Sequence, residues 1–332
     1  MVIGLNLLGL SDAIRNVYAS DKEPYCRKFL HENHKYELGV FKTIGDRPSV
    51  EAGVLDIYSA GFPCQPFSSQ GRMEGFEDTQ GRGVVGLEVV AKINAERPNT
   101  FLLENVASIT YGKHRELFDV IVEGLSSITT VHGAPEYSVH HKILDTQDYG
   151  IPHSRNRVFI IGYKIDLAKI PWRWPTPISD FVKPASKLLG RPAKNPIEHT
   201  KSMNYTNLSC LTKALEAIRI KKMNVNKTIF IDIDVGKKRG VQFKQDVCPC
   251  ITRSRAGCGG WWVTSLKRRM TTNEMLRFQG IPPGTLNFDS ITERQFRMMI
   301  GNAWSVNVSA RVTARLLLTI GLVRPSSLNF II

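Results

Sequence analysis

The stretch VLDIYSAGFPCQPFSSQGR, residues 54–72, contains the pattern that decides the fold. Its first seven residues form a short apolar run rich in β-branched residues, which is typical of a buried parallel strand. In the loop that follows, Pro63 and Pro66 enclose Cys64 and Gln65 and restrict the backbone, since neither proline offers an N–H. A loop directly after such a strand lies at the carboxyl edge of the sheet, where α/β enzymes bind ligands. The pattern therefore predicts that the two prolines hold Cys64 in a fixed position at that edge.

The same alternation of strand and helix continues along the chain. NTFLLEN (99–105) and RVFIIGY (157–163) are further short apolar runs suited to buried parallel strands. VVGLEVVAKI (84–93) and LFDVIVEGL (117–125) have apolar residues at helical spacing. Residues 1–163 are therefore predicted to form a doubly wound α/β domain with a mostly parallel sheet.

Residues 164–265 lose this alternation and contain Pro, Trp and Gly clusters together with basic runs, which favours a second, smaller, irregular β-rich domain. Residues 164–270 carry 22 Lys and Arg against 7 Asp and Glu, a net charge of +15, whereas the remainder of the chain has 22 against 23. Most charge runs are ordinary solvated surface. A near-neutral body with one basic block is better explained by a polyanionic partner.

Helical signals return after the basic segment. Thr271 and Glu274 have the spacing of a capping box, and Gly280 follows as a helix stop. Residues 303–320 are predicted to form a long apolar helix that needs a partner surface. Residues 266–332 are therefore expected to return to the first domain.

The six cysteines contain no CxxC pair, and the spacing of Cys248, Cys250 and Cys258 fits no common zinc site. We therefore predict no metal, although a metal at these three cysteines stays open. Nothing indicates disulfides, so a reducing, cytoplasmic compartment is expected. No apolar run reaches the roughly 18 residues of a membrane span, and the apolar N-terminus lacks the basic region of a signal peptide.

The loop at 60–72 resembles the catalytic loop of the cytosine-5 DNA methyltransferases, whose Pro-Cys dipeptide carries the nucleophile. Further segments resemble blocks of that family in the family's order. They are GFEDTQGRG (75–83), Glu104-Asn105-Val106, GIPHSRNRVFIIG (150–162), RRMTTNEMLRFQGIPPG (268–284) and GNAWSVNVSARV (301–312). The basic segment lies where the family has its variable target recognition domain.

The resemblance implies four catalytic residues. Cys64 attacks C6 of a cytosine as a thiolate, which makes C5 nucleophilic toward a methyl donor. Glu104 provides a carboxyl group at N3, and Arg155 and Arg157 hold O2 from the other side. A base inside a duplex cannot reach such groups, so the cytosine must be flipped out. Taken alone, Glu104 could form a surface ion pair and the two arginines could be solvated charges.

The resemblance also implies the S-adenosylmethionine-dependent methyltransferase fold and S-adenosyl-L-methionine as cofactor. Residues assigned to the cofactor are Gly4, Gly9, Asp21, Phe41, Pro63, Asn302 and Ser305. Asp21 is placed to bond the ribose hydroxyls, and Phe41 could cover the adenine. Three features depart from the family. The family's opening Phe-x-Gly-x-Gly turn is missing, with Gly4 or Gly9 as the nearest counterpart. The acidic residue that the family usually has near the adenine is not found around Gly39-Val40-Phe41, and the glutamine of the QxRxR block is His153 here. Asn302 could equally cap the helix that follows.

Expected DNA contacts come from two segments. Gln65, Ser68, Ser69 and Arg72 belong to the catalytic loop, while Arg253 and Arg255 belong to the stretch CITRSRAGCGGWW, 250–262. Lysines and arginines of the basic segment supply phosphate contacts, which position the protein without reading sequence. Trp261 and Trp262 are expected to pack in the core of the small domain.

Two other functions compete with DNA methylation. A sister group of the family methylates tRNA, but it typically has Thr after PCQPF and a Cys-Phe-Thr signature, where this chain has Ser68 and Cys250-Ile251-Thr252. A non-enzymatic DNA-binding relic would explain the altered cofactor turn. A metal-containing nucleic-acid module has no ligand set to support it. The expected partner is double-stranded DNA, bound by a monomeric enzyme without a membrane. A cognate restriction endonuclease is a further candidate partner. The expected location is the cytoplasm, with the nucleoid or a viral genome, or the nucleus of a eukaryote.

Overall fold

The computed structural model of the chain describes residues 1–63, 85–178, 183–201, 203–235 and 240–327. The chain divides into two compact units. The first comprises Met1–Asp145, Asn156–Thr176 and Val308–Ile332, and the second comprises Thr146–Arg155 and Pro177–Asn307. These boundaries differ from the predicted ones, because residues 266–307 cluster with the second unit. The predicted return to the first domain therefore begins at Val308.

Within the described residues, the larger sheet of the first unit has four strands in the order β3-β4-β7-β5. Their bounds are β3 Ile57–Gly61, β4 Thr100–Val106, β7 Asn156–Lys164 and β5 Tyr137–Asp145. β3 and β4 are parallel, whereas β7 is antiparallel to both β4 and β5. Three strands therefore point one way, and the prediction of a parallel strand at 157–163 was wrong in direction.

β5 explains that reversal. It pairs with β7 from Tyr137↔Lys164 to Asp145↔Asn156, so the chain turns back on itself between the two strands. The apolar pattern did not reveal β5, because it lies at the end of the strand order and exposes His141 and Lys142. A strand with one solvated edge does not need a continuous apolar run.

A second, two-stranded sheet of the first unit pairs β1 Tyr18–Ser20 with β2 Gly39–Phe41 in parallel, joined through helix α2 Pro24–Asn33. Parallel strands require such a crossover because their ends point the same way.

The two predicted helices of this unit are present as α3 Val85–Glu96 and α4 Arg115–Ser126. Their apolar faces cover one face of the larger sheet in a core that includes Val89, Ile93, Phe101, Leu103, Leu117 and Ile121. Gly162 makes room for this packing, since a Cβ atom there would lie 2.1 Å from the ring of Phe101. One core therefore accounts for the apolar residues of both the strands and the two helices.

The predicted apolar helix near the C-terminus is α10 Val306–Thr319. Its partner in the first unit is a short helix, α1 Val2–Leu7. Leu5 and Leu8 pack there against Ala310, Ala314 and Leu317.

Two small sheets and several helices make up the described part of the second unit. An antiparallel sheet has the order β12-β11-β8-β9, and β6 pairs with β10 in parallel. The strands are β6 His153–Ser154, β8 Ile229–Ile231, β9 Phe243–Gln245, β10 Cys248–Pro249, β11 Trp262–Val263 and β12 Arg268–Arg269. The helices are α5 Pro196–Lys201, α6 Tyr205–Ile220, α7 Arg253–Gly257, α8 Thr272–Phe278 and α9 Glu293–Asn302.

The predicted capping box is confirmed at the start of α8, where the Thr271 hydroxyl accepts from the Glu274 N–H and the Glu274 carboxylate accepts from the Thr271 N–H. Gly280 follows this helix with a φ of 74°, as expected for a stop. The prediction that Trp261 and Trp262 are packed in the small unit is also confirmed, since they are 8% and 4% exposed. Among the described residues, no helix is long and apolar enough to cross a membrane.

Candidate active site

Glu104 and Arg157 form an ion pair at the carboxyl end of β4. The Nε atom of Arg157 lies 3.0 Å from Oε1 of Glu104, and both side chains are largely buried. Glu104 is opposite Phe159 in the antiparallel register, so Arg157 reaches it diagonally from two residues away. Leu103 and Val158 face the core formed with α3 and α4, so Glu104 and Arg157 share the other face of the sheet.

The strand that leads into the cysteine loop runs beside this pair. Gly61, the last residue of β3, is the register partner of Glu104. Pro63 follows two residues later and is partly exposed. Cys64 comes three residues after Gly61, but it lies outside the described residues together with Gln65, Ser68, Ser69 and Arg72. The predicted catalytic loop therefore begins just after Gly61, the residue paired with Glu104.

Asp21 and Phe41, both predicted to bind the cofactor, are adjacent in the structure. The N–H of Asp21 donates to the carbonyl of Phe41 at 3.0 Å and extends the parallel pairing of β1 and β2 by one bond. Oδ1 of Asp21 accepts from the N–H of Glu23, at 2.8 Å, which fixes the carboxylate at the strand end. The main chains of Asp21 and Phe41 are therefore hydrogen-bonded to each other where two parallel strands end.

Gly4 and Gly9 occupy different environments. Gly4 is inside α1 rather than in a turn, and a Cβ atom there would lie 3.3 Å from Cβ of Ala310. Close packing of α1 on α10 explains this glycine. Gly9 does form a turn, with a φ of 81° and its N–H donating to the carbonyl of Asn6. Of the two, Gly9 alone has the backbone conformation of a glycine turn.

Arg155 is buried at 2% exposure and belongs to the second unit. Its Nη1 donates to the carbonyls of Ile251 (3.0 Å) and Gly301 (3.2 Å), and its Nη2 donates to the carbonyl of Ala303 (2.8 Å). The guanidinium therefore ties the segment before α7 to the end of α9. This bonding favours a structural role for Arg155 over direct contact with a base.

His153 is a residue whose role the sequence did not reveal, although its replacement of the family's glutamine was visible. It is fully buried, Nε2 accepts from the N–H of Ile251 at 3.0 Å, and Nδ1 lies 3.0 Å from the carbonyl oxygen of Phe278. These two partners require the neutral tautomer with hydrogen on Nδ1. A glutamine amide offers the same combination of one donor and one acceptor.

Asn302 and Ser305, both predicted to bind the cofactor, have different surroundings. Asn302 is exposed and ends α9, so it does not cap α10. Ser305 is buried, its hydroxyl lies 2.6 Å from that of Thr146, and it donates to Oε1 of Gln279 at 3.4 Å. Ser305 therefore contributes to a polar network within the second unit.

Arg255 was predicted to contact DNA, but its charge is balanced inside the second unit. Nη2 lies 2.5 Å from Asp232 and Nη1 lies 3.1 Å from Asp234, and the guanidinium stacks 5.1 Å from the centre of the Trp261 ring. Arg269 also binds both oxygens of Asp234. Burial opposes ionisation of Asp234, yet Arg269 and Arg255 hold the pKa of Asp234 below its usual range. Arg255 is thus explained by an ion-pair cluster.

Arg253 differs from Arg255. It is the first residue of α7, is partly exposed, and follows Thr252, whose hydroxyl caps the helix by accepting from the Arg255 N–H. Arg253 is kept as a candidate DNA contact, and Arg72, the third arginine predicted to contact DNA, lies outside the described residues.

In the part of the chain that the structure describes, no group of three or more His, Cys, Asp or Glu side chains could hold a metal ion. Cys248 is completely buried, and this burial raises the pKa of its thiol well above the usual range. A thiol in that state is a poor metal ligand and a poor nucleophile.

Solved methyltransferases share this fold. Over 95% of this chain and 94% of the other, the structure resembles the S. pombe Dnmt2 methyltransferase, with a TM-score of 0.57 and 18% identity. At that identity the likeness concerns the fold. The family follows from the sequence, because the profile described as C-5 cytosine-specific DNA methylase matches residues 2–317. The chain belongs to this family.

Two curated relatives agree with that assignment. The chain is 30% identical over 298 residues to the type II methyltransferase M.NgoBI of Neisseria gonorrhoeae, covering 88% of this chain and 83% of the relative. It is 31% identical over 297 residues to the type II methyltransferase M.HaeII of Haemophilus aegyptius, covering 89% and 83%. The predicted family and enzyme class are therefore confirmed.

Proposed function

We propose that this enzyme methylates C5 of a cytosine flipped out of a specific short DNA sequence, through a covalent bond between Cys64 and C6. The observation that carries the proposal is the buried Glu104–Arg157 pair beside the strand that leads to Cys64. A carboxyl group and a guanidinium on one face are what a cytosine ring needs as charge develops on N3 and O2.

The chain's own groups account for each change in bonding. The Cys64 thiolate forms a bond to C6, and the displaced electron pair moves into the ring toward C5. Glu104 shares a proton with N3 while Arg157 holds the carboxyl group and stabilises O2. After methylation, loss of the C5 proton to water and departure of the Cys64 thiolate restore the ring. The enzyme is then unchanged.

S-adenosylmethionine, when bound, supplies the electrophilic methyl group. Asp21 and Phe41 fit its nucleoside half, because a carboxylate suits ribose hydroxyls and an aromatic ring suits adenine. Pro63 and the Gly9 turn remain candidates for its other half. Gly4 is not assigned to it, since the packing of α1 on α10 explains that residue.

Double-stranded DNA is the proposed substrate. The basic segment 164–270 contributes a net charge of +15 and would neutralise phosphates, while Arg253 at the start of α7 would contact DNA. The relatives are type II methyltransferases, which makes a cognate restriction endonuclease a reasonable partner to look for. We propose that the enzyme acts as a monomer on this substrate.

Transfer of tritiated methyl from S-adenosylmethionine to unmethylated genomic DNA and to tRNA, side by side, tests the function. We expect incorporation into DNA alone, and bisulfite sequencing should place it at cytosines in one short context. Incorporation into tRNA alone would replace the DNA proposal. A folded protein that binds DNA but transfers no methyl group would instead support the DNA-binding relic.

A further inference from the structure

The ring of His153 joins two segments of the second unit. β6 places His153 beside Cys248 in a parallel pair, and its ring reaches the N–H of Ile251 and the carbonyl of Phe278. Ile251 immediately precedes Thr252, the residue that caps α7. A fully buried ring thus fixes the main chain just before the helix that begins with Arg253.

This arrangement depends on a neutral imidazole. A proton on Nε2 would face the N–H of Ile251, so an acceptor would be replaced by a second donor and the Ile251 N–H would lose its buried partner. The guanidinium of Arg155 bonds the carbonyl of the same Ile251, and its positive charge would repel an imidazolium.

Among the other elements packed against β6, the turn Thr146–Tyr149 carries the carboxyl group of Asp148. β10 and the residue after it offer the thiols of Cys248 and Cys250. On α8, Glu274 is bound by Arg268 in a bidentate pair, and Arg277 adds positive charge. The Phe278 carbonyl at the end of α8 favours a donor, but the neutral tautomer already supplies one on Nδ1.

We propose that His153 is a positioning residue for DNA recognition: in its neutral form it holds Ile251 and Thr252 so that α7 presents Arg253 to DNA. This rests on the proposed function of the segment 250–257. Protonation of His153 releases that segment. The rate of methyl transfer to limiting DNA therefore falls at acidic pH, for a reason separate from the chemistry at Cys64.

The test compares the wild type with His153→Gln, His153→Phe and the matched control His132→Gln, which changes an exposed histidine of the first unit. Initial rates of tritiated methyl transfer to limiting unmethylated plasmid DNA are measured from pH 5.5 to 8. Glutamine can keep both hydrogen bonds without titrating. Phenylalanine keeps a planar ring but makes neither hydrogen bond.

We expect His153→Gln and the wild type to agree at pH 8. At pH 5.5 the variant should be faster by roughly tenfold, because an orphaned buried donor shifts an equilibrium by about that factor. His132→Gln should follow the wild type at every pH. His153→Phe should be slow throughout, with a raised KM for DNA. Equal pH profiles for His153→Gln and the wild type, or a His153→Gln as impaired as His153→Phe, would overturn the proposal.

A failure of the proposed function can be told apart from a failure of this inference. If the wild type transfers no methyl group at any pH, the function is wrong. Urea unfolding followed by tryptophan fluorescence then decides the role of His153 in the same proteins. The neutral ring predicts that the wild type loses stability as pH falls from 7.5 to 5.5, and that His153→Gln loses less. If both lose the same, His153 does not control the segment.

Discussion

Arg157 and Glu104 approach to 3.0 Å across two antiparallel strands, on the face of the sheet opposite the helical core. Most surface ion pairs contribute little to stability, but this pair is largely buried and lies beside the strand that leads to Cys64. We propose that the pair serves the reaction, and the variants below test this role.

Glu104→Gln removes the proton-sharing group while keeping the shape of the side chain. We expect kcat to fall by about a hundredfold or more, with DNA binding retained, since transition-state stabilisation is lost and not substrate affinity. Glu136→Gln is the matched control, because Glu136 also forms partly buried ion pairs, with Arg97 and Lys164. A Glu104→Gln enzyme as fast as the control would remove Glu104 from the site.

Arg155→Lys tests the structural role of this arginine. Lysine keeps the charge but cannot direct a planar fork of donors at the carbonyls of Ile251, Gly301 and Ala303, so buried acceptors lose their bonds. We expect the free energy of unfolding to fall by about 2–3 kcal/mol in urea titrations followed by tryptophan fluorescence. Arg115→Lys, on an exposed helix face, should change it little. If the variant kept its stability but lost activity, Arg155 would be assigned to contact with the cytosine instead.

Arg253→Gln and Arg255→Gln should separate DNA contact from internal pairing. If Arg253 meets a phosphate, the slope of log affinity against log salt becomes shallower by about 0.9 in that variant. Arg255→Gln should leave the slope unchanged, but it should lower the free energy of unfolding by about 2–4 kcal/mol because Asp232 loses its ion-pair partner. Fluorescence anisotropy with labelled duplex DNA measures the slopes. The reverse pattern would show that Arg255 is the DNA contact.

Gly301→Ala probes the close approach of α9 to the start of α7. A Cβ atom at Gly301 would lie 2.5 Å from the main-chain carbon of Thr252, which cannot move aside as a flexible side chain could. We expect a loss of about 2–4 kcal/mol in stability, together with weaker DNA binding. At Gly45 the nearest atom would be 3.9 Å away, so Gly45→Ala is the control. Equal stabilities of the two variants would contradict the packing at Gly301.

The sequence predicted the elements whose apolar pattern is strong. β3, β4, α3, α4 and α10 were visible because each buries a continuous apolar run or stripe. The edge strand β5 was not visible, because the exposed polar residues His141 and Lys142 interrupt its apolar pattern. The reversed direction of β7 follows from its pairing with β5. Direction is a property of pairing, which periodicity alone does not encode.

The candidate site shows the same division. Glu104, Arg157, Asp21 and Phe41 were predicted from the family resemblance of the motifs that contain them. In the structure Glu104 forms an ion pair with Arg157, and the N–H of Asp21 donates to the carbonyl of Phe41. The roles of Arg155 and Arg255 were not foreseeable, because their partners are main-chain carbonyls or carboxylates far away in the sequence. An arginine's charge is visible in a sequence, but the groups that neutralise it are not.

The most direct test of the account is whether Cys64 becomes bonded to DNA. With S-adenosylmethionine present, the protein is incubated with DNA in which 5-fluorocytosine replaces cytosine, because fluorine at C5 cannot leave as a proton and the enzyme cannot depart. The account predicts a complex that survives denaturing electrophoresis for the wild type and for Cys258→Ser, an exposed-cysteine control, and no such complex for Cys64→Ser. A stable complex with Cys64→Ser, or none with the wild type while methyl transfer to ordinary DNA proceeds, would contradict it.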